Sequence, residues 1–225
     1  MLCKLIVVRE RLYNKGEVEM LLKTIFCKVG EEKREMFSAA QEKWRDLQHL
    51  DGFHGQFGGW NEDEACVYTL WEDRSAYQSF MNGAHDTIYL NSNQKDTFLS
   101  CEIELFQTLY DINDKPLQNV VTEGSFVRVA ICDVKGEKEN HFLHKQETIW
   151  NKGMENAKGM LGGVVAKSLK NETRYIVLTY WEDEMAHQYY VEEGFPMLYK
   201  LANIHEDIEE IRSKQAVCKE EWLVY

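Results

Sequence analysis

The sequence contains little proline and no long apolar run. Only 2 of its 225 residues are proline, while 12% are aromatic. This composition indicates a compact, ordered core rather than a disordered chain. A length of 225 residues allows one large domain or two small ones, because domains cluster at roughly 100–150 residues.

Positive charge is also scarce. The chain has 26 Lys and Arg residues against 38 Asp and Glu residues, which gives a formal net charge of −12. No basic run is available to neutralise phosphates, so we exclude nucleic acid and an anionic membrane surface as partners. The same charge is expected to repel acidic substrates.

Targeting and membrane signals are missing from the sequence. The apolar segment in residues 1–9 is too short for a signal peptide, and Arg9 ends it early. No stretch approaches the ~20 apolar residues that cross a bilayer. We therefore expect a cytoplasmic protein. A purine-rich coding stretch for residues 15–18 would resemble a bacterial ribosome-binding site, so we interpret residues 1–19 as an N-terminal extension and Met20 as the natural start.

Motifs for metal, phosphate and nucleophilic chemistry are absent as well. The six cysteines are widely spaced without a C-x-x-C pair, and we interpret them as small buried hydrophobes rather than disulfides or zinc ligands. His141 and His144 have a spacing that can share a metal on a helix, but no third ligand is nearby in sequence, so a solvated face is preferred and no metal is expected. Neither a glycine-rich phosphate loop after a strand nor a nucleophile with a positioned base is visible.

What the chain does contain is an internal repeat. Residues 69–73 (TLWED) recur as residues 179–183 (TYWED), and their flanks recur as well. The matching pairs are Phe37 and Phe142, Gln41 and Gln146, Gly52 and Gly159, Gly55 and Gly162, Ala76 and Ala186, and Tyr89 and Tyr199. This pattern indicates that a unit of roughly one hundred residues has been duplicated.

Each copy has the same order of predicted elements. In the first unit we predict strands over residues 21–29, 52–60, 64–71 and 99–109, with helices over 31–50 and from Asp73 onward, the second interrupted near Gly83. In the second unit we predict strands over 125–133, 160–168, 173–181 and 216–224, helices over 138–154 and 183–191 continuing after Pro196, and additional amphipathic turns over 204–211. Turn-forming residues place the boundary at 111–116, which gives units of 20–110 and 124–225 joined by a linker over 111–123.

The order β-α-β-β-α-β, found twice, predicts an α+β fold of two tandem ferredoxin-like units. In residues 175–181 both alternating sets of side chains are apolar or aromatic, and residues 66–71 behave similarly. A strand in a sheet with one solvent-exposed face should alternate between apolar and polar side chains. These strands do not, so we expect both faces of the sheet to be buried. The two sheets are therefore predicted to close on each other as an intramolecular pseudo-dimer; the order of any higher oligomer is left open.

A strand-end Trp-Glu-Asp, a helix with an alanine and aromatic residues, a break at a small residue and a second helical piece occur together in both copies. This combination resembles the dimeric α+β-barrel superfamily, which includes the antibiotic-biosynthesis monooxygenases and the haem-degrading monooxygenases. The resemblance runs from Met20 to Tyr225 and implies a ligand pocket between the helices and the sheet. It is moderately specific for the fold and poorly specific for activity.

The resemblance also bears on haem. The position of the haem-ligating histidine falls on Tyr89 and Tyr199, that of a tryptophan on Phe80 and Tyr190, and that of an asparagine near Leu21 and Phe126. All three positions depart from the family pattern. Tyrosine can ligate haem iron, and His85 lies one helical turn from Tyr89, so haem stays a disfavoured alternative and no cofactor is expected.

Cofactor-independent oxygenases of the superfamily act on electron-rich polycyclic phenols or quinols. The resemblance therefore implies an oxygenase of a small aromatic or apolar substrate, with a non-catalytic ligand-binding or stress-related protein as the alternative. No catalytic residue is assigned. The candidate ligand-binding residues are Gln41, Tyr68, Trp71, Tyr77, Phe80, His85 and Tyr89 in the first unit and Gln146, Tyr180, Trp181, Tyr190 and Tyr199 in the second.

Structural roles compete with this assignment. Trp71 and Trp181 are typical of packed cores, and the acidic residues that follow them are typical of helix N-termini. Gln41 and Gln146 point partly inward, where a structural hydrogen bond is preferred over a ligand contact.

Overall fold

The structure is a computed structural model that describes residues 20–113 and 115–225. The expected extension over 1–19 lies outside these residues. The described residues form eight strands: β1 (Leu21–Lys28), β2 (Phe53–Asn61), β3 (Glu64–Trp71), β4 (Ser100–Ile112), β5 (Phe126–Val134), β6 (Met160–Ser168), β7 (Arg174–Trp181) and β8 (Ile208–Cys218). The helices are α1 (Arg34–Gln41), α2 (Arg74–Asn82), α3 (His85–Ser92), α4 (Glu139–Lys145), α5 (Lys152–Glu155), α6 (Glu184–Glu193) and α7 (Phe195–Ala202).

The strands form one closed barrel from two ferredoxin-like sheets. The strand order is β1-β3-β2-β8-β5-β7-β6-β4, and β4 returns to β1. The first unit contributes β4-β1-β3-β2 and the second contributes β8-β5-β7-β6, with all neighbours antiparallel. The two sheets join where β4 pairs with β6 and where β2 pairs with β8. The predicted fold class and intramolecular pseudo-dimer are confirmed.

Closure explains why both strand faces are apolar. Side chains alternate along each strand, so Val127 and Val129 enter the barrel interior while Phe126 and Ala130 face the helices. The interior core mixes residues of both units, and it also includes Leu117 and other side chains of the connecting segment. No helix in the described part of the chain is long and apolar enough to span a membrane.

The repeated glycine and alanine are in contact with each other. Gly52 and Gly159 adopt left-handed backbone angles, with φ of +73° and +78°. A Cβ atom at either position would lie 2.5 Å from the Cβ atom of Ala76 or Ala186, respectively. The pairs recur in both units because the start of β2 or β6 closely approaches the helix that follows the Trp-Glu-Asp sequence. Asp73 and Asp183 cap these helices, each accepting a hydrogen bond of 2.8 Å from an alanine amide.

The last strand differs from the prediction. Residues 204–211 were expected to add helical turns and residues 216–224 to form the strand. Ile204–Glu206 do form a 3-10 turn, but β8 spans Ile208–Cys218 and pairs along β5. Apolar residues at three- and four-residue spacing suggested a helix, yet the exposed edge of β5 requires a hydrogen-bonding partner, and this requirement decides the backbone conformation. The C-terminal residues instead form a 3-10 turn over Glu220–Trp222 that packs against the first unit.

One cysteine pair also differs from the prediction. Cys27 and Cys101 lie opposite each other on β1 and β4 and form a disulfide. Cys66 and Cys132 are buried free thiols, as expected, and Cys218 is a partly buried free thiol. Spacing in the sequence gave no signal for the pair, because it is created by the register between strands that are distant in sequence.

Candidate functional site

A cavity of about 70 Å³ lies in the second unit between the sheet and the helices. Its apolar wall includes Ala130, Phe142, Trp150, Met154, Phe195 and Ile211. The polar side chains that reach it are Arg128, Lys145, Gln146, Tyr190, Tyr199 and Asp207. A few polar groups within an apolar concave wall are typical of sites for small organic molecules.

Arg128 brings a positive charge to this cavity. It is a partly buried residue of β5 on the face that carries Phe126 and Ala130. Burial lowers its pKa, but an arginine remains protonated at neutral pH. Among the described residues no carboxylate lies within salt-bridge distance of its guanidinium, and no hydrogen bond holds the side chain.

Tyr190 and His187 on α6 lie in the electrostatic field of Arg128. Burial raises the pKa of Tyr190 to about 12 although the Arg128 charge acts in the opposite direction, so the phenol stays protonated at neutral pH. Burial and then the Arg128 charge lower the pKa of His187 to about 4, so this imidazole is neutral at the same pH. The cavity therefore presents a fixed cation and a neutral phenolic donor.

An ion-pair cluster closes the rim near β8. The Lys145 Nζ atom lies 2.8 Å from Asp207 Oδ2 and 3.0 Å from Glu206 Oε2, and His141 Nδ1 lies 2.5 Å from Asp207 Oδ1. His141, Glu206 and Asp207 come close enough to share a metal ion. Because the ammonium groups of Lys145 and Lys138 already pair with these two carboxylates, the arrangement is that of an ion-pair network. His144 is exposed and is not part of the cluster.

A wide helical turn shapes the other side of the cavity. Residues Gln146–Asn151 form a π-helix between α4 and α5, whereas in the first unit the residues after Gln41, Glu42–His49, form a tight 3-10 helix. Gln146 Nε2 donates to Asn151 Oδ1 at 2.8 Å across this turn, and Trp150 packs on Phe195 with ring centroids 5.5 Å apart. π-Turns inside helices are frequent at functional sites.

A hydrogen-bonded side-chain bridge occupies the equivalent region of the first unit. Gln94 Nε2 donates to Gln41 Oε1 at 2.9 Å, and Trp44 Nε1 donates to Gln94 Oε1 at 2.9 Å. The residue equivalent to Gln94 in the second unit is Ile204, which cannot form this bridge and lines the cavity instead. Lys23, the counterpart of Arg128, is only 6% exposed and lies over the rings of two aromatic side chains.

Comparison with known proteins identifies the family. The model for antibiotic biosynthesis monooxygenase matches residues 125–194, and a Domain of unknown function (DUF4937) matches residues 21–106. The chain is 39% identical over 102 residues to "Uncharacterized protein YdbC" of Bacillus subtilis (strain 168), covering 43% of this chain and 82% of that protein. The chain belongs to the family of this Bacillus subtilis protein, and its second unit matches the antibiotic biosynthesis monooxygenase domain.

Solved structures extend this fold similarity over both units. A candidate monooxygenase from Fusobacterium nucleatum superimposes with a TM-score of 0.73 at 13% identity, covering 90% of this chain and 93% of that chain. An anthrone oxidase-like protein gives a TM-score of 0.70 at 12% identity, covering 91% and 93%. At these identities the superpositions show that the tandem α+β barrel is shared.

The α+β barrel brings only part of the predicted site together. Gln146, Tyr190 and Tyr199 line the second-unit cavity. Trp71 and Trp181 are 1% and 0% exposed, and each donates its indole N–H to a threonine two residues earlier, as the core interpretation predicted. The expected structural hydrogen bonds of Gln41 and Gln146 are present, although their partners are side chains.

Two predicted pocket residues were placed on the wrong face of the sheet. Tyr68 and Tyr180 enter the barrel interior, and the Tyr180 hydroxyl donates to the carbonyls of Val121 and Gly124. Both tyrosines directly precede residues that face the helices, and one step along a strand reverses the side-chain direction.

The first-unit candidates form an aromatic cluster. Phe80 stacks on Trp71 with centroids 4.8 Å apart, and Tyr77 packs on both. His85 Nδ1 lies 2.8 Å from Asp86 Oδ1, and its ring stacks on Tyr89. These contacts describe packed side chains rather than groups directed into a cavity.

The residues at the haem positions of this superfamily do not fit haem. The Tyr199 hydroxyl lies 2.9 Å from His205 Nε2 and is therefore engaged by a protein group. Leu21 and Phe126, at the asparagine position, are buried core residues that offer no hydrogen bond from their side chains.

Sequence reasoning missed Arg128, Lys145, Trp150 and Asp207. A signal for the first was present, because Arg128 interrupts an apolar strand and aligns with Lys23 in the repeat. The others depend on the π-turn and on the true position of β8, which the pattern of apolar residues does not reveal.

Proposed function

We propose that the second unit binds a small, flat aromatic molecule and oxygenates it without a cofactor. The observation that carries the proposal is the cavity between helices and sheet, whose wall combines Phe142, Trp150 and Phe195 with a few polar groups. Aromatic side chains favour flat aromatic ligands through stacked and edge-on contacts. In the first unit the Gln94 bridge occupies the equivalent region, which supports one ligand site per chain.

In the proposed reaction, the substrate itself would supply the electrons that reduce dioxygen. For a substrate of the anthrone type, the carbon that bears two hydrogens becomes a carbonyl, and dioxygen supplies the new oxygen atom. The other oxygen atom leaves as water with the two hydrogens, so the four electrons lost by the substrate reduce one dioxygen molecule. Tyr190 would donate a hydrogen bond to the substrate oxygen on which negative charge develops, because its pKa of about 12 keeps the proton in place.

Oxygen uptake with anthrone tests this proposal. We expect the full chain to consume one O₂ for each anthraquinone formed, faster than the uncatalysed reaction. Ala130→Ile, which copies the first-unit residue Ile25, should narrow the cavity and lower the rate, while the reciprocal Ile25→Ala should leave the rate unchanged. Anthrone retained by the protein without oxygen uptake would overturn the catalytic proposal in favour of a binding protein.

A further inference from the structure

We infer that the second-unit cavity selects aromatic ligands that carry an oxyanion, a phenolate or a carboxylate, and that Arg128 binds this group. The inference names the ligand class of the proposed site and rests on the same cavity. It assigns Arg128 as the specificity-determining residue.

The first support is the contrast between two arginines. Arg174 is held by Asp133 through hydrogen bonds of 2.7 Å and 2.9 Å and lies 3.3 Å from Glu104. Arg128 has no such partner among the described residues, although burial disfavours its charged form. Even a partly buried charge is costly without a partner, and a bound oxyanion would accept hydrogen bonds from the paired N–H groups of this guanidinium.

The second support is the charge balance of the cavity wall. The carboxylate that reaches the cavity belongs to Asp207, and it is already paired with Lys145 and His141. No carboxylate contributes to the shifted pKa of Arg128; the contributions besides burial come from Tyr190 and Cys132. Within the part of the chain that the structure describes, the positive charge of Arg128 is therefore uncompensated.

The third support comes from the repeat. In the first unit the Nζ atom of Lys23 lies 5.3 Å from the ring centroid of Tyr77 and 5.9 Å from that of Phe80. Cation–π contacts with these two rings partly stabilise the charge of Lys23. The second unit replaces the lysine by a guanidinium, the side chain best suited to a planar oxyanion, and places it at an open cavity.

The acidic character of the whole chain does not oppose this inference at short range. A net charge of −12 led us to expect that acidic substrates are repelled. Exposed charges are screened beyond roughly 8 Å at physiological ionic strength. Inside the cavity the nearby guanidinium therefore dominates, while the outer surface slows the approach of anions.

Ionisation of 4-nitrophenol, whose phenolate absorbs visible light, tests the inference with the full chain. Bound to the wild type, the probe should ionise at a pH lower by about one unit or more, because a cation in contact shifts a pKa by about 1–3 units. With Arg128→Met, the shift should disappear or reverse. Lys23→Met, the matched change in the first unit, should behave like the wild type. An equal shift in the wild type and Arg128→Met would overturn the inference.

A second set of probes separates charge from shape and distinguishes a carboxylate from a phenolate. The Arg128→Met variant should bind 2-naphthoate at least tenfold more weakly than the wild type. It should bind naphthalene as tightly as the wild type does. A nitrophenol shift without naphthoate binding would assign the phenolate; equal loss of naphthalene would contradict a charge-specific role. If the protein binds naphthoate but consumes no oxygen with anthrone, the proposed catalysis is wrong and the role of Arg128 stands. If Arg128→Met leaves anthrone turnover unchanged, the role of Arg128 is wrong and the proposed catalysis stands.

Discussion

At the residue scale, the two units differ most at the side chains that line the cavity of the second unit and that occupy the matching region of the first. Gln94 joins Gln41 and Trp44 in the first unit, while Ile204 at the matching position leaves the second unit without this bridge. A single polar-to-apolar difference between the copies is thus a physical reason for one cavity. The internal repeat allows such differences to be identified, because each residue of one unit can be compared with its counterpart in the other.

Gln94→Leu should destabilise the protein by about 2–4 kcal/mol, because Trp44 and Gln41 then lose buried hydrogen-bonding partners. Urea unfolding of the variant measures this loss. Ile204→Leu, the matched apolar change in the second unit, should cost less than about 1.5 kcal/mol. Equal costs for the two variants would contradict the bridging role of Gln94.

His187 should make stability depend on pH. Its folded-state pKa of about 4 lies below the ordinary value of 6.5, so between these values the unfolded chain binds a proton that the folded chain does not. Stability should therefore fall as the pH is lowered from about 6.5 towards 4. His187→Phe should reduce the difference in unfolding free energy between pH about 7.5 and pH about 5 by about 1–2 kcal/mol. The exposed His144→Gln control should keep the wild-type difference.

At the element scale, the sequence predicted helices and strands well where one face is buried. The strand over residues 160–168 and the helix starts at Asp73 and Asp183 match the structure. The pattern failed for β8, whose side chains are mostly exposed, so no clean alternation marks it as a strand. Of the candidate site, three residues were found because they lie on helices that face the sheet, and Arg128 was missed because its charge was not compared between copies.

The contact between Gly159 and Ala186 gives a test of helix placement. Gly159→Ala should cost about 2–4 kcal/mol, from the left-handed backbone and from overlap with the Ala186 methyl group. Adding Ala186→Gly should remove the overlap, so the double variant should be less destabilised than the sum of the two single changes. Additive unfolding free energies would contradict the close contact.

At the scale of the whole molecule, the end of the chain stabilises the opposite unit. Trp222 is fully buried between Phe37 and Trp60, with ring centroids 5.6 Å and 5.3 Å away. Val224 also exchanges backbone hydrogen bonds with Gln56 on β2. Barrel closure therefore depends on the C-terminal residues as well as on the paired strand edges.

Trp222→Ala should lower the unfolding free energy by about 3–5 kcal/mol, since it leaves a large cavity. Trp222→Phe should cost clearly less, because the Trp222 indole N–H has no hydrogen-bond partner among the described residues. Chemical denaturation of both variants measures the difference. Similar losses for the two substitutions would show that the indole nitrogen, rather than the buried ring, matters.

The asymmetry of the two units is the central claim, and the stoichiometry of ligand binding tests it most directly. Calorimetric titration of the full chain with 4-nitrophenol should give one bound molecule per chain, since the second unit holds the cavity and the Gln94 bridge occupies the matching first-unit region. Two equivalent sites per chain, or no saturable binding at all, would contradict this account.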